Sequence, residues 1–289
     1  MKSKINGMKD RIKIKDKNKI VIKIGTSSLT NANGTINFAN IEKLTKAISE
    51  MRKNGKNVML VTSGAIAVGA AKMGWEHRPS KLPEKQALAA IGQAELIKIY
   101  EKYFANYNQI AAQILITKDV VVNPIRRYNA KNTLNTLMNM SIIPIINEND
   151  TVATDEIEFG DNDTLSAHVA LITEADLLII LSDIDGLYDG DPKIDPQANI
   201  IKKVIDIEEV ERFAGASTSE FAKGGMVTKI AAARLCTDAG IDMIIARGDN
   251  PLIVLDIMEA KEIGTLFVGR SEYAQTGNGT KKGYREKLG

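Results

Sequence analysis

The sequence predicts an α/β protein, an αβα sandwich in which helices cover both faces of a mainly parallel sheet. Two observations support this fold class. Short β-rich apolar runs alternate with helical patterns from residue 19 onward, and this βαβα order is typical of parallel sheets. Several runs are also apolar at successive positions, as expected for strands that are buried on both faces.

The elements follow from these patterns. The predicted strands are Lys19–Ile24, Asn57–Thr62, Ile110–Ile116, Ile142–Ile146, Asp176–Leu181, Ile241–Ala246 and a short edge at Leu266–Val268. The predicted helices cover residues 40–54, 64–73, 84–105, 126–140, 162–173, 226–239 and 252–260. We expect one domain at 19–270, between a basic flexible leader at 1–18 and a flexible polar tail at 271–289.

Length and composition exclude several classes of protein. A chain of 289 residues can bury a sizeable core, and no apolar run reaches the roughly 18 residues of a membrane span. The single cysteine, Cys236, excludes an internal disulfide framework and favours a reducing, cytoplasmic location. We expect Cys236 to be buried and inert. The two histidines, His77 and His168, cannot supply a histidine-rich metal site.

The charge is unevenly distributed. Residues 1–19 carry a net charge of +6 and residues 270–289 carry +3, so the body of the chain carries −7. An acidic body argues against nucleic acid as the main ligand. If this body binds phosphates, it must do so with a few placed lysines and backbone amides.

Ligands of parallel sheets bind beyond the carboxyl ends of the strands. Of five segments with unusual residues, four directly follow a predicted strand and the fifth precedes a helix. There is no G-x-x-x-x-G-K-[ST] loop, no G-x-G-x-x-G fingerprint and no protein-kinase HRD or DFG. The segments of interest are Gly25–Leu29, Ser63–Ala65, Asn147–Asp163, Ser182–Pro192 and Lys223–Lys229.

Two lysines are candidates for phosphate contacts. Lys23 lies inside an apolar strand, where a charge must pair or meet an anion; the alternative is an exposed edge strand. Gly224 and Gly225 offer backbone amides at the start of a helix whose first turn carries Lys229. A flexible loop before an ordinary helix is the alternative for that segment.

Acidic loops provide the remaining candidates. Residues 147–163 hold seven carboxylates, and helix capping by Asp161, Asn162 or Asp163 explains only some of this polarity. Ser182 and Asp183 follow the strongest strand, where the edge of a base or ribose would lie. Solvation and turn formation are the alternative interpretations of these two segments.

Taken together, these segments resemble the amino acid kinase family, and the pair NEND with FGDND resembles its glutamate-phosphorylating branch. The resemblance covers roughly residues 19–269. Its motifs, in order, are VIKIGTS at 21–27, VTSGAI at 61–66, NEND at 147–150, FGDND at 159–163, SDxxGLY at 182–188, GGMxTK at 224–229 and GTxF at 264–267.

The resemblance implies ATP-dependent phosphorylation of the glutamate side-chain carboxylate, the first step of proline biosynthesis, with magnesium carried by ATP. It implies catalytic roles for Lys23, Lys229 and Asp163, with Asp163 orienting the lysines. The residues implied in glutamate binding are Ser63, Asp150 and Asn162. The residues implied in nucleotide binding are Lys23, Ser182, Asp183, Lys223, Gly224, Gly225, Met226, Val227, Thr228 and Lys229.

Further expectations follow from the chemistry and from the resemblance. Asp150 can pair with the substrate ammonium and Asn162 can donate to a carboxylate, while Thr151–Phe159 is the candidate lid. We expect a homo-oligomer, dimer or tetramer, with feedback inhibition by proline. Many family members carry a C-terminal PUA domain, which we expect to be absent because few residues follow Arg270.

Two alternatives remain open. The first is a family member of other specificity, such as an N-acetylglutamate or UMP kinase. The second is a non-catalytic amino-acid sensor that keeps the fold.

Overall fold

The computed structural model has an eight-stranded sheet at its centre, counted over the residues that it describes. The strands are β1 (Lys19–Ile24), β2 (Asn57–Val61), β3 (Ala111–Ile116), β4 (Ile143–Glu148), β5 (Leu177–Ser182), β6 (Lys203–Val204), β7 (Asp242–Arg247) and β8 (Thr265–Phe267). The described residues are 10–31, 34–75, 79–153, 162–190, 192, 195, 197–210 and 225–270.

The strand order is β3-β4-β2-β1-β5-β7-β8-β6. Neighbouring strands are parallel except β7 and β8, which are antiparallel. The predicted mainly parallel sheet is therefore confirmed. β1 lies between β2 and β5, so it is a central strand and not an exposed edge.

Helices pack on the faces of this sheet. They are α1 (Thr26–Leu29), α2 (Phe38–Lys53), α3 (Ala65–Lys72), α4 (Leu82–Ala105), α5 (Lys118–Val122), α6 (Pro124–Asn139), α7 (Asp163–Thr173), α8 (Met226–Asp238) and α9 (Ile253–Met258). The seven predicted helices are present, with ends shifted by up to a few residues. The sequence patterns missed α1, α5 and β6 because each is too short to show a period.

Burial of both faces of β1 explains why its sequence, KIVIKI, is apolar at four of six positions. Ile20, Ile22 and Ile24 lie in one hydrophobic cluster, while Val21 lies in the cluster on the other face. Successive side chains of a strand point to opposite faces, so Lys23 shares the face of Val21. That face is covered by α7 and α8, whose Leu165 and Ile230 belong to the same cluster.

Helices α3 and α4 approach each other unusually closely. A Cβ atom on Gly92 would lie 1.7 Å from the carbonyl oxygen of Ala65, and one on Gly69 would lie 2.0 Å from that of Leu88. Real Cβ atoms do not come this near, so only glycine fits at either position. This backbone contact sets how deeply α4 lies against the rest of the domain.

The described part of the predicted leader is packed, contrary to expectation. Residues 10–18 include a 3₁₀ helix at Lys13–Asp16 with Ile14 buried. The Arg11 guanidinium is buried and donates to four backbone carbonyls, among them Ile263 at 2.6 Å and Gly264 at 2.9 Å. Residues 10–18 are therefore packed against the sheet domain in this structure, with the Arg11 guanidinium as the donor to carbonyls that would otherwise lack one.

The remaining predicted leader and the predicted tail lie outside the described residues. The other domain limits stay predictions. No helix in the described ranges has the length and apolar character needed to cross a membrane.

Candidate active site

The carboxyl ends of β1, β2, β4 and β5 meet at one edge of the sheet. The chain leaves β1 toward β2 on one side, while β5 pairs with β1 on the other. A point where successive connections run in opposite directions opens a crevice, and ligands of such sheets bind there. Every predicted site segment that the structure describes lies at this edge or at a helix that begins beside it.

Three predicted catalytic residues come together in this crevice. The Asp163 carboxylate at the start of α7 contacts the Lys23 ammonium through Oδ1 at 2.5 Å and the Lys229 ammonium through Oδ2 at 2.9 Å. All three side chains are buried. Thr228 Oγ1 lies 3.4 Å from Asp163 Oδ2. One carboxylate thus contacts both ammonium groups, one through each of its oxygens.

The electrostatics of this trio favour an anion. Two positive charges and one negative charge leave a net positive charge in a site of low solvent exposure. Charges interact more strongly there than in water, because the surroundings are less polarisable. A phosphoryl group that approaches the lysines therefore meets concentrated positive charge at fixed positions.

The start of α8 adds backbone donors beside Lys229. Gly225 is the N-cap residue, and it has no side chain with which to cover the first N–H groups of the helix. The Lys229 ammonium also donates to the Gly225 carbonyl at 3.0 Å. Met226 is buried and Val227 is half exposed. Lys223 and Gly224 lie outside the described residues, so their predicted contacts with nucleotide stay predictions.

The turns after β1 and β5 lie side by side. The Gly25 amide donates to the Leu181 carbonyl at 3.4 Å, and a Cβ on Gly25 would lie 3.8 Å from Lys23 Nζ. Ser182 is buried and donates to Asp183 Oδ1 at 3.0 Å, whereas Asp183 is exposed. These two residues occupy the same edge of the sheet as Lys23, in keeping with a role in nucleotide binding.

The second half of the site is a buried network around Asn162. Its amide nitrogen lies 2.8 Å from the Thr62 carbonyl, 3.0 Å from Ser63 Oγ and 2.8 Å from Asn147 Oδ1. The side chain does not cap α7. Side-chain capping of α7 therefore does not explain why Asn162 is at this position. Ser63 and Asn162, two of the predicted glutamate-binding residues, are in contact.

The orientation of the Asn162 amide is determined by Thr62. A backbone carbonyl only accepts hydrogen bonds, so the amide nitrogen must face it and the amide oxygen must point away. Within the described part of the chain, Asn162 Oδ1 is buried and has no hydrogen-bond partner. The expectation that Asn162 donates to a carboxylate does not fit, because its N–H groups are already engaged.

Asp150 presents a second acceptor of the same kind. Its side chain is 4% exposed, and Oδ1 is buried without a partner among the described residues. Burial raises the pKa of Asp150 to about 6. A buried acceptor of this kind is costly unless a ligand supplies the donor.

The sequence interpretation missed the residues that support this network. Gln93 Oε1 on α4 accepts from Asn147 Nδ2 at 2.8 Å. Tyr100, on the same helix, shares a 2.9 Å hydrogen bond with the Thr62 hydroxyl. The only sequence signal for Gln93 is a polar residue on the apolar face of a helix. That signal predicts a hydrogen bond but does not identify the partner.

The candidate lid is described only in part. Residues 151–153 belong to the turn after Asp150, and the rest of Thr151–Phe159 lies outside the described residues.

Among the residues described, no three His, Cys, Asp or Glu side chains are grouped to hold a metal ion. The net positive charge of the trio suits the phosphates of a nucleotide.

Comparison with known proteins agrees with the fold and with the composition of the candidate site. The amino acid kinase family profile matches residues 18–247. The chain is 49% identical to glutamate 5-kinase of Clostridium perfringens, over 89% of this chain and 97% of the relative. It is also 49% identical to glutamate 5-kinase of Listeria monocytogenes, over 91% and 97% of the two chains.

Solved structures show the same fold at lower identity. UMP kinase of Ureaplasma parvum superposes with a TM-score of 0.59 at 20% identity, covering 87% of this chain and 99% of that one. UMP kinase of Bacillus anthracis gives 0.59 at 17% identity, covering 88% and 96%. With the family profile, the near full-length relatives and the fold in agreement, the chain belongs to the amino acid kinase family and, within it, to the glutamate 5-kinases.

Proposed function

We propose that this protein transfers the terminal phosphoryl group of ATP to the side-chain carboxylate of glutamate, forming glutamyl 5-phosphate in the first step of proline biosynthesis. Relatives 46–49% identical that are named glutamate 5-kinase support this proposal. The lysine pair held by Asp163 supports phosphoryl transfer.

The observation that carries the choice of substrate is the pair of unpartnered acceptors. Asp150 Oδ1 and Asn162 Oδ1 are both buried and, among the described residues, neither has a donor. A free ammonium supplies several N–H groups and the positive charge that Asp150 requires. An N-acetylated amino acid has one neutral N–H and cannot neutralise Asp150. The geometry therefore favours a free amino acid.

The remaining predicted residues divide between the two substrates. Ser63 would contact glutamate beside Asn162. Lys23 and Lys229 would contact the transferring phosphoryl group. The nucleotide would be bound by Ser182, Asp183, Lys223, Gly224, Gly225, Met226, Val227 and Thr228.

The chemistry requires charge neutralisation and no general base. The acceptor carboxylate has a reference pKa near 4.3 and is ionised at neutral pH. Catalysis therefore depends on bringing two anions together. Lys23 and Lys229 offset negative charge on the transferring group, and Asp163 holds both ammonium groups in position. A magnesium ion bound to the ATP phosphates would neutralise further charge.

The alternatives fit the structure less well. A UMP kinase needs hydrogen-bond donors for the phosphate group of its acceptor, UMP. Asp150 and Asn162 instead offer hydrogen-bond acceptors. A non-catalytic sensor has no need of two lysines buried around one carboxylate, since that arrangement costs desolvation energy.

The decisive experiment measures ADP release in hydroxylamine, which traps acyl phosphates. Glutamate, aspartate, N-acetylglutamate and UMP are compared at equal concentration. We expect glutamate to give both ADP and hydroxamate at the highest kcat/KM. Equal or faster turnover of any of the other three would contradict the proposed specificity.

Variants test the two halves of the site separately. Asp150→Asn and Asn162→Ala should each raise KM for glutamate by roughly tenfold or more, the loss of one charge-assisted hydrogen bond. KM for ATP should stay within about twofold. Asn123→Ala is the matched control, because Asn123 caps α6 by accepting from Ile125 and Arg126. It should lower Tm and leave both KM values unchanged.

Assembly as a homo-oligomer, inhibition by proline and a cytoplasmic location remain parts of this proposal. They follow from the family and from cysteine usage.

A further inference from the structure

Gln93 is a polar residue on the apolar face of α4. Its neighbours on that face include Ala89 and Leu96, which are buried in the core. Gln93 itself is 8% exposed. Its Oε1 accepts from Asn147 Nδ2 at 2.8 Å. A buried amide in an apolar helix face is costly unless such a bond is made.

The backbone N–H of Glu148 can only donate, so Asn147 Oδ1 must face it and Asn147 Nδ2 is left to donate to Gln93. An amide side chain has one end that donates and one that accepts. Asn147 Oδ1 accepts from Asn162 Nδ2 at 2.8 Å and from the Glu148 amide at 3.0 Å. In the reversed orientation, the NH₂ groups of Asn147 and Asn162 would face each other as two donors.

Helix α4 also contacts the other acceptor that holds Asn162. Tyr100 lies two turns after Gln93 on the same face of the helix, and its hydroxyl bonds the Thr62 side chain. The Thr62 carbonyl accepts from Asn162 Nδ2. The close Gly69–Gly92 contact places α4 at the depth where both side chains reach the site.

We propose that Gln93 is a positioning residue for the amino-acid substrate. By accepting from Asn147 it holds the Asn147 side chain in place as an acceptor for Asn162, and the Asn162 amide, oriented by the Thr62 carbonyl, keeps its position with Oδ1 available to the substrate ammonium. The inference rests on the proposed function, which supplies the ammonium. Gln93 itself does not touch the substrate.

The first test replaces the acceptor without changing the shape of the side chain. Gln93→Met should raise KM for glutamate by about fivefold or more, the effect of losing one neutral hydrogen bond. KM for ATP and kcat should stay within about twofold. Gln93→Glu keeps an acceptor oxygen and should restore KM to within about twofold of wild type. Gln86→Met, two turns earlier on the same helix, is the matched control and should change neither KM.

The second test asks whether Gln93 acts through Asn162. In an Asn162→Ala background, adding Gln93→Met should raise KM for glutamate by less than about twofold, because the group that it positions is gone. An equal fold-change in both backgrounds overturns the inference. So does a Gln93→Met variant that lowers only Tm, or a Gln93→Glu variant as weak as Gln93→Met.

Different results would overturn the role of Gln93 and the proposed phosphorylation of glutamate. If wild type turns over glutamate but Gln93→Met leaves its KM unchanged, only the role of Gln93 is overturned. If wild type forms no glutamyl hydroxamate with ATP, the proposed function itself is overturned.

Discussion

The ammonium of Lys23 and the carboxylate of Asp163 lie 2.5 Å apart although the residues are 140 positions apart in the chain. One is in the central strand and the other begins a helix on the sheet face. Buried ion pairs contribute little net stability, because desolvation offsets most of their attraction. Their presence here therefore points to catalysis more than to folding.

Removing either lysine charge should slow the chemical step. Lys23→Met and Lys229→Met should each lower kcat by about 10²-fold or more, judging from the loss of one contact to developing charge. The measurement is steady-state hydroxamate formation at saturating substrates. Lys19→Met is the control, because Lys19 lies at the opposite end of β1 and donates to the Thr173 carbonyl. A lysine variant with near-normal kcat would remove that residue from the mechanism.

Neutralising Asp163 should affect both activity and stability. Asp163→Asn leaves two buried ammonium groups without their shared carboxylate, and breaking a buried pair costs about 3–5 kcal/mol. We expect a clear fall in Tm together with a kcat loss of about 10²-fold or more. Thermal unfolding and activity are measured on the same preparation. An unchanged Tm would mean that the lysines are not held as the structure shows.

Asp150 should oppose stability while serving binding. Burial raises its pKa to about 6, so between about pH 4 and 6 the folded state keeps a proton that the unfolded state has lost. The free energy of unfolding therefore falls as the pH rises through this window. Asp150→Asn should have a higher Tm than wild type at pH 7.5 and a similar Tm at pH 4. A lower Tm at pH 7.5 would contradict this.

The same group should govern the pH dependence of glutamate use. Protonated Asp150 cannot pair with an ammonium, so kcat/KM for glutamate should fall as the pH drops below about 6. The profile for ATP should not show this step. Asp150→Asn should have lower kcat/KM throughout and lack the step near pH 6. A variant that retains the step would assign it to another group.

Proline should inhibit in competition with glutamate. Its cyclic ammonium carries two N–H groups, and these can meet the two buried acceptors, Asp150 Oδ1 and Asn162 Oδ1. Initial rates are measured at several proline and glutamate concentrations, and Asn162→Ala should weaken both ligands in parallel. Inhibition that high glutamate does not relieve would place proline elsewhere.

Much of the fold could be predicted because its signals are periodic and local. The strand at Lys19–Ile24 was predicted with the bounds observed, since burial on both faces makes Ile20–Ile22 and Ile24 apolar. β6, with two residues, has no period to detect. The packed segment around Arg11 was missed because its partners lie about 190 to 250 positions away.

The catalytic trio could be predicted for a different reason. The residues alone indicate only that a lysine inside a buried strand requires an anion, and the loop at 147–163 offers seven carboxylates. The choice of Asp163 came from the family resemblance. The role of Gln93 could not be predicted. Its partner, Asn147, is 54 positions away on another element, and an amide does not show from sequence which end will be engaged. Likewise, only the contact with the Thr62 carbonyl reveals that Asn162 presents an oxygen.

Asn162 and Asp163 are consecutive residues at the start of α7, yet their side chains contact different parts of the candidate site. Asn162 belongs to the amino-acid network and Asp163 holds both lysines. Their Cα atoms are about 3.8 Å apart, as in any trans peptide, so one cannot shift without the other. Under the proposed function, we therefore expect an acceptor that fits badly against Asn162 to disturb the two lysines as well. In this way the first turn of α7 can limit transfer of the ATP phosphoryl group to water or to the wrong amino acid.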